Sequence, residues 1–276
     1  MLVGLIGAGI QDSRTPALHE REGAEQGLVY VYRLLDLDVL GVDADRLPEL
    51  LTAAERMGFT GVNLTHPCKQ RVIPLIHELS PEAAAIAAVN TLVFSGGRRV
   101  GYNTDWSGFA ESFRQELSDA SRERVVQLGA GGAGAAVAYA ALTLGVSRIT
   151  IVDTDIARAA SLAQRLCNRF GPTRAVSSDN IPQALSEADG LINATPVGMA
   201  KYPGIPLDAV HLRGELWIAD IIYFPLETEL LRIARERGCR TMSGAGMAVF
   251  QAAQAFQLFS GREANAERML RHFHSI

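Results

Sequence analysis

The stretch VVQLGAGGAGAA, which runs from Val125 to Ala136, decides the fold of this chain. Its apolar start predicts a strand, its alanine-rich end predicts a helix, and between them lie Gly129, Gly131 and Gly134 in the spacing of a phosphate-binding turn. The first glycine permits the tight turn, the second lets the backbone approach a pyrophosphate, and the third lets the helix pack against the strand. The helix N-terminus offers N–H groups to the anion. We therefore predict a dinucleotide-binding turn, with a purely structural turn as the alternative.

The next predicted strand, RITIVD, supports this interpretation because it ends in an acidic residue, Asp153. In dinucleotide-binding folds a carboxylate about 20 residues beyond the glycines hydrogen-bonds the ribose 2′-hydroxyl of NAD. The same charge would repel the 2′-phosphate of NADP. The sequence thus predicts NAD as the cofactor, although a carboxylate after a strand is also a common turn cap.

A second glycine cluster lies near the start, in GLIGAGIQDSRTPALHE, residues 4–20. Gly7 and Gly9 form the first half of the same motif. The sixth position of the motif is Asp12, where a small residue is needed and where a carboxylate would repel a pyrophosphate. We therefore predict that this cluster does not bind the cofactor.

Strand and helix patterns alternate along the chain, which predicts an α/β protein. Residues 1–103 form a first α/β domain, in which CKQRVIPLIHELS is predicted to be a helix interrupted by Pro74. Residues 104–246 contain the glycine turn within repeated strand–helix–strand units, which predicts a doubly wound parallel sheet of the Rossmann type. Residues 247–276 are predicted to form two helices that complete the first domain.

Composition excludes several classes of function. The chain carries a formal net charge of −4, and its isoelectric point near 5.9 argues against nucleic-acid and anionic-membrane partners. Its three cysteines form neither a disulfide framework nor a CxxC pair, so a reducing cytoplasm is the expected compartment. No apolar run reaches the ~18 residues of a membrane span. Without an HExxH arrangement, no metal is expected.

Two polar segments are candidates for the chemistry. In VNLTHPCKQ, Thr65 and Lys69 stand four residues apart at a predicted helix start, and GYNTDWSGF places Asp105 at a helix N-terminus. A nicotinamide enzyme that oxidises an alcohol needs such a group to take the hydroxyl proton. The alternatives are a solvated helix lysine at 69 and a simple N-cap at 105. Cys68 could be an activated thiol or, as we prefer, a packed one.

Taken together, segments in the right order along nearly the whole chain resemble the shikimate/quinate dehydrogenase family. They are DSRTPALH, VNLTHPCKQ, AAVNTLV, GYNTDWSGF, NATPVGM, DIIYFPLETELL and GAGMAVFQAAQAF. Within the family, Thr15 of SRTP and Asp153 resemble the bacterial NAD-dependent quinate/shikimate dehydrogenases. The residue before Ser13 is Asp12 where the family usually has histidine, so this loop departs from the family pattern.

The resemblance implies an active site in a cleft between two domains. It also implies a reversible NAD-dependent oxidation of one ring hydroxyl, which gives 3-dehydroquinate or 3-dehydroshikimate, with Lys69 and Asp105 as the catalytic pair that exchanges the hydroxyl proton. The residues that match family positions for substrate binding are Ser13, Thr15, Thr65, Lys69, Asn90, Asp105, Tyr223 and Gln251. Those expected at the cofactor are Gly129, Gly131, Gly132, Ala133, Gly134, Asp153, Arg158, Thr195, Pro196, Val197, Ile222, Gly244 and Met247.

Several alternatives stay open at this point. The chain could be an NADP-dependent biosynthetic shikimate dehydrogenase, or a relative that acts on another cyclic polyol acid such as an aminoshikimate. From a different class, it could be a non-catalytic redox sensor that binds NAD(H), although the presence of both Lys69 and Asp105 argues against this. The expected partner is a small-molecule substrate, and a monomer or a homodimer is expected.

Overall fold

The computed structural model describes all residues from Met1 to Ile276, in two compact units. The first unit consists of residues 1–104 and 249–276, and the second consists of residues 105–248. Each unit contains a six-stranded sheet with helices packed against it. The predicted α/β fold class is therefore confirmed.

The sheet of the first unit is mixed, with strand order β2-β1-β3-β5-β6-β4. Strand β1 pairs in parallel with β2 and β3, whereas β5 is antiparallel to β3 and β6. The strands are β1 (Leu2–Gly7), β2 (Val31–Asp36), β3 (Gly61–Leu64), β4 (Glu78–Leu79), β5 (Thr91–Ser95) and β6 (Arg98–Tyr102), and the helices are α1 (Thr15–Glu25), α2 (Leu37–Leu40), α3 (Leu47–Arg56), α4 (Cys68–Arg71) and α5 (Pro81–Ile86).

The helix predicted for CKQRVIPLIHELS is wrong beyond its first turn. Helix α4 ends at Arg71, a 3₁₀ turn covers Ile73–Leu75, and Glu78–Leu79 pair with β6 as β4. Pro74 has no backbone N–H and disfavours helical geometry in the residue before it, so the helix cannot continue. The edge of the sheet then satisfies the backbone groups that the helix would have satisfied.

The second unit has an entirely parallel sheet, with strand order β12-β11-β10-β7-β8-β9. This is the doubly wound arrangement in which the strand order reverses between two neighbouring parallel strands, here β7 and β10, and ligands bind at that switch point. The strands are β7 (Arg124–Leu128), β8 (Arg148–Val152), β9 (Ala175–Ser177), β10 (Gly190–Asn193), β11 (Trp217–Asp220) and β12 (Arg240–Met242), and the helices are α6 (Asp105–Glu116), α7 (Gly132–Thr143), α8 (Ile156–Phe170), α9 (Ile181–Ser186) and α10 (Glu229–Glu236).

Two further helices follow, α11 (Gly244–Ser260) and α12 (Ala266–Phe273). From Val249 onward they belong to the first unit, where Phe256 packs with Val3 and Tyr32 on one face of the sheet. The opposite face carries a separate core that includes Ile6 and Leu51. No helix in the chain combines the length and the hydropathy that crossing a lipid bilayer requires.

Helix α12 is tied to α1 by one buried ion pair. The Glu22 side chain is 0% exposed, and Arg268 donates to it at 2.6 and 2.9 Å. The Asn265 N–H and the Gln26 amide donate to the same carboxylate. Burial alone would raise the pKa of Glu22, but the hydrogen bonds from these three residues and the positive charge of Arg268 outweigh it and lower the pKa. Glu22 is therefore ionised and fully paired at neutral pH.

We expect Glu22→Gln to destabilise the first unit by about 2 kcal/mol at pH 7, because it removes the charge-assisted bonds from Arg268. The folded pKa lies below the ordinary value of 4.5, so this contribution is complete above about pH 4.5 and is lost as the pH falls through the folded pKa. Hydrogen exchange of α1 and α12 at pH 7 and in acid measures the difference.

The matched control is Glu25→Gln on the same helix, because the Glu25–Arg21 pair is exposed and should contribute less than about 0.5 kcal/mol. Both tryptophans, Trp106 and Trp217, lie in the second unit, so their fluorescence follows the unfolding of that unit. It therefore reports whether the loss of stability is confined to the first unit. A loss of stability in Glu22→Gln that stays constant from pH 7 to pH 3 would contradict the assignment of this contribution to ionised Glu22.

Candidate active site

The glycine turn follows β7 at the switch point of the parallel sheet. Gly129 has φ +97°, a conformation that side-chain-bearing residues rarely adopt, and its N–H donates to Val152 O at 2.7 Å. A β-carbon on Gly129 would lie 2.5 Å from Ala194 O, in the loop after β10. The turn therefore lies directly against the loop of the neighbouring strand, which only a glycine allows.

The third glycine brings α7 against the strand that precedes it. A β-carbon on Gly134 would lie 2.4 Å from the carbonyl oxygen of Gly129. Beneath the turn, the buried Gln127 amide donates at 2.8 Å to both Gly129 O and Gly134 O. Gln127 was not singled out from sequence, and its place inside an apolar strand is the signal that marks it. Together these contacts hold the turn rigid before any ligand binds.

The second glycine, by contrast, borders open space. No atom lies within 4 Å of a β-carbon placed on Gly131, which caps α7 with φ −71° and ψ −171°. The N–H groups of Gly132, Ala133 and Gly134 in the first turn of α7 have no intrahelical acceptor. Open backbone beside such N–H groups at the positive end of a helix fits a pyrophosphate.

Asp153 follows β8 and contacts the glycine turn. Its carboxylate accepts hydrogen bonds from Ala130 N (2.7 Å), Asp155 N (2.9 Å) and Arg158 Nη2 (2.6 Å). Burial would raise the pKa of Asp153, but these hydrogen bonds and the positive charge of Arg158 lower it. The Asp153 side chain is 6% exposed and that of Arg158 is 49% exposed. A buried carboxylate with a more exposed cation beside it therefore lies against the glycine turn.

Two further loops leave the carboxyl ends of β10 and β11. Asn193 and Asp220 are register partners at these ends, and Asn193 Nδ2 donates to Asp220 Oδ1 at 3.1 Å. Asn193 also binds Thr195 and Val197 O, whereas Asp220 accepts from Ile222 N. The sequence-assigned residues Thr195, Pro196, Val197, Ile222 and Tyr223 all lie on these two loops.

Asp220 is completely buried and accepts a 2.7 Å hydrogen bond from Thr228 Oγ1. Burial raises the pKa of Asp220, and the hydrogen bonds from Thr228, Ile222 and Asn193 limit the rise, so that the pKa is about 6. Sequence reasoning missed Asn193 and Asp220, although polar residues that end two neighbouring buried strands are a recognisable signal.

Of the remaining cofactor candidates, Gly244 N donates to Ile222 O at 3.2 Å, and Met247 is buried in α11.

In the first unit, the early glycine cluster forms the turn after β1. A β-carbon on Gly7 would lie 2.2 Å from the Thr65 methyl group, and Ala8 N donates to His66 O at 3.0 Å. The glycine thus lets the loops after β1 and β3 touch. Further along the first loop, Thr15 N donates to Ser13 Oγ at 3.3 Å. The turn therefore brings together two of the loops that carry the predicted substrate residues.

A buried polar network joins Asn90 to Gln251. Asn90 Nδ2 donates to Thr104 Oγ1 at 2.9 Å and to Gln251 Oε1 at 3.4 Å, and Asn90 Oδ1 accepts from Thr104 N at 2.7 Å. Asn63, held by the Tyr32 hydroxyl, donates to the backbone oxygen of Asn90. The network thus brings together two predicted residues, Asn90 and Gln251. It also includes Asn63 and Thr104, which sequence reasoning did not select.

Lys69 lies on the single turn of α4, and its carbonyl oxygen accepts a bond from Val89 N at 2.8 Å, next to Asn90. The chain contains only two lysines, Lys69 and Lys201, among its 26 basic side chains. Burial raises the pKa of the preceding Cys68 thiol to about 11, which agrees with a packed thiol and not an activated one.

The predicted substrate residues divide between the two units. Ser13, Thr15, Thr65, Lys69, Asn90 and Gln251 belong to the first unit, whereas Asp105 and Tyr223 belong to the second. Asp105 is the first residue of α6 and follows Thr104 directly.

Comparison with protein families identifies both ends of the chain. Residues 5–92 match the profile of the shikimate dehydrogenase substrate binding domain, and residues 244–272 match that of the shikimate 5′-dehydrogenase C-terminal domain. Residues 116–208 match the C-terminal domain of alanine dehydrogenase/PNT.

Individual proteins match over almost their full length. Shikimate dehydrogenase (NADP(+)) of Streptomyces avermitilis is 58% identical, over 98% of this chain and 93% of its own. Quinate/shikimate dehydrogenase (NAD(+)) of Corynebacterium efficiens is 46% identical, over 100% of this chain and 98% of its own. Among solved structures, quinate dehydrogenase from Corynebacterium glutamicum in complex with NAD is 45% identical with a TM-score of 0.93, and the match covers 100% of this chain and 99% of that one.

Proposed function

The chain belongs to the shikimate dehydrogenase family, and we propose that it is an NAD-dependent quinate/shikimate dehydrogenase. The relatives named above are shikimate and quinate/shikimate dehydrogenases that use a nicotinamide dinucleotide. The proposed reaction is the reversible oxidation of one ring hydroxyl of quinate or shikimate. Its products are 3-dehydroquinate and 3-dehydroshikimate.

The single observation that carries the choice of NAD is the position of Asp153. Its carboxylate is hydrogen-bonded to the Ala130 N–H of the glycine turn, so it cannot swing away from a ribose bound there. An ionised carboxylate accepts hydrogen bonds from the 2′- and 3′-hydroxyls of NAD and repels the 2′-phosphate of NADP. Arg158 compensates part of this charge. We therefore propose a clear preference for NAD with residual use of NADP.

Lys69 and Asp105 are proposed to move the proton. When NAD is bound, it supplies the acceptor for the hydride that leaves the ring carbon. The hydroxyl on that carbon loses its proton to the Lys69 amine, and the Asp105 carboxylate binds the hydroxyl and orients the lysine. In the reverse direction the ammonium returns the proton to the developing alkoxide.

The other residues are proposed to hold the substrate. Ser13 and Thr15 present hydroxyl groups to its carboxylate, and Thr65, Asn90 and Gln251 bind the ring hydroxyls. Quinate differs from shikimate by an additional hydroxyl on a tetrahedral carbon that bears the carboxylate. The Ser13–Thr15 side of the site is therefore where we expect the two acids to be distinguished.

The direct test is steady-state oxidation of quinate and of shikimate, each with NAD and with NADP. Turnover of both acids with NAD, and weak turnover with NADP, is the expected result. Turnover of shikimate with NADP alone would identify a biosynthetic shikimate dehydrogenase. Absence of turnover with all four pairs, but with other cyclic polyol acids oxidised, would identify a relative with a different substrate. Tight NADH binding without any turnover would identify a redox sensor.

Asp153→Ala is expected to lower the ratio of kcat/KM with NAD to that with NADP by about 100-fold, because a close like-charge contact costs several kcal/mol. Removal of the carboxylate also frees Arg158 to bind the 2′-phosphate. The matched control is Asp179→Ala, an exposed carboxylate in the loop after β9 of the same unit, which should leave the ratio within about threefold. An unchanged ratio in Asp153→Ala would show that this carboxylate does not meet the ribose.

A further inference from the structure

One buried carboxylate in the first unit has no role in the reaction proposed above. Asp36 ends β2, is 2% exposed, and accepts four hydrogen bonds. Two come from consecutive backbone N–H groups, those of Gly9 (3.0 Å) and Ile10 (3.0 Å). The third comes from the Gln11 side chain (2.9 Å), and the fourth from Asp38 N (3.1 Å). Three of the four donors therefore belong to the loop that follows β1.

We propose that Asp36 is the positioning residue of the substrate loop, holding residues 9–11 so that Ser13 and Thr15 face the carboxylate of the substrate. This inference rests on the proposed function, because that function assigns Ser13 and Thr15 to the substrate.

The geometry of the loop supports the proposal. Gly9 has φ +64°, and with Ile10 it turns two successive N–H groups to the same side. Such a pair forms a concave site for an anion, which here is filled by the carboxylate of the chain itself. The Ile10 carbonyl oxygen then accepts from Ser13 N at 3.0 Å, and Ser13 Oγ accepts from Thr15 N. A continuous set of hydrogen bonds thus links Asp36 to both hydroxyl-bearing residues.

Only a carboxylate satisfies this arrangement. All four partners of Asp36 are neutral N–H donors, shared between its two oxygens. Burial alone would raise the pKa of Asp36, but these hydrogen bonds outweigh it and lower the pKa, so the group is ionised and purely an acceptor. Asparagine has one acceptor oxygen, and its NH₂ group would face two N–H donors. Asp36→Asn keeps the volume of the side chain while removing half of its acceptors.

Few side chains in this loop are buried. Gln11 and Asp12 are exposed and contribute no core packing. Between the buried Ile10 and the start of α1 at Thr15, the loop is held by its hydrogen bonds and by Arg14, which donates to Phe273 O at 3.2 Å and lies over the Phe273 ring. A buried acceptor with four neutral donors and no cationic partner at the end of an edge strand therefore serves this loop.

The test compares Asp36→Asn with wild type in two ways. With shikimate as the varied substrate, Asp36→Asn should raise KM by about 10- to 100-fold, because a displacement of about 1 Å in binding groups has effects of this size. The dissociation constant of NADH should change less than twofold. By NMR, the Gly9 and Ile10 amides should exchange with solvent slowly in wild type and much faster in the variant.

Asp43→Asn is the matched control. Asp43 lies in the same unit and accepts from the N–H of the residue two positions on, as Asp36 does, but it is exposed and far from the loop in sequence. It should leave KM and the exchange of Gly9 and Ile10 unchanged. Gln11→Ala removes a single bond from an exposed side chain, so it folds even if Asp36→Asn does not, and we expect KM to rise about threefold.

The outcomes separate this proposal from the proposed function. Wild type that oxidises neither acid would contradict the proposed function, and the exchange measurement would still test the anchor. Wild type that oxidises shikimate, with KM unchanged in Asp36→Asn and in Gln11→Ala, would overturn the positioning role. A fall in kcat and a weakening of NADH binding as large as the rise in KM would overturn it too, because they would indicate a general structural defect.

Discussion

Lys69→Met is expected to lower kcat for the oxidation of quinate or shikimate by about 1,000-fold. The substitution keeps the aliphatic stem and removes the amine that takes the hydroxyl proton, and general acid–base groups typically contribute about 10²- to 10⁴-fold. The dissociation constant of NADH should stay within about twofold, because Lys69 lies in the first unit and the glycine turn in the second. Stopped-flow kinetics and NADH fluorescence titration measure the two quantities.

Two variants sharpen this prediction. Lys69→Arg keeps the positive charge, but a guanidinium does not give up its proton in proteins, so kcat should remain at least about 100-fold below wild type. Lys201→Met removes the only other lysine, whose ammonium lies over the Tyr202 ring, and should leave kcat near that of wild type. Activity near wild type in Lys69→Met or in Lys69→Arg would refute the assigned proton transfer.

Gly131→Val is expected to weaken cofactor binding by about 100-fold while the chain stays folded. A β-carbon at this position meets no atom within 4 Å, and its backbone angles suit any residue. The side chain would fill the space into which the pyrophosphate must come. Loss of two charge-assisted hydrogen bonds of about 1.5 kcal/mol each corresponds to a rise of about 100-fold in the dissociation constant of NADH.

Neighbouring substitutions separate steric exclusion from structural damage. Gly131→Ala should give a smaller rise in the dissociation constant than Gly131→Val, and both should lower stability by no more than about 1 kcal/mol, because Gly131 caps α7. Gly134→Ala should instead destabilise the second unit by about 1–3 kcal/mol, because its β-carbon would meet Gly129 O at 2.4 Å. If Gly131→Val bound NADH as tightly as wild type, the pyrophosphate would have to bind elsewhere.

Much of the second unit was predictable because its signals are local. Gly129, Gly131 and Gly134 stand at fixed spacing between a β-branched run and an alanine run, so strand, turn and helix follow from neighbouring residues alone. The charge of Asp12 sufficed to predict that the early glycine cluster is not a cofactor turn. The helix predicted beyond Arg71 failed for the opposite reason, because the pairing of β4 with β6 depends on residues more than 20 positions away.

The residues that sequence reasoning missed are buried carboxylates and side-chain amides that hold loops by hydrogen bonds. Asp36 holds residues 9–11, Asn63 holds Asn90, and Asp220 joins the loops after β10 and β11. In the sequence each is a single polar residue at the end of, or within, an apolar strand, where a turn cap is the ordinary interpretation. Their partners lie 26 or 27 residues away in several of these contacts, so nothing near them in sequence indicates what they bind.

The sequence by itself determined the α/β class, the strand–turn–helix around the glycines of residues 129–134 and, through resemblance, the family. These depend on short-range spacing and on the sign of single charges. Only the tertiary structure decided which loops touch. It showed that Gly7 leaves room for the Thr65 side chain, and that Asp153 binds the glycine turn and Arg158. The reason is that a buried polar group must find its hydrogen-bond partner somewhere in the folded chain, and the strand order determines which partner is within reach.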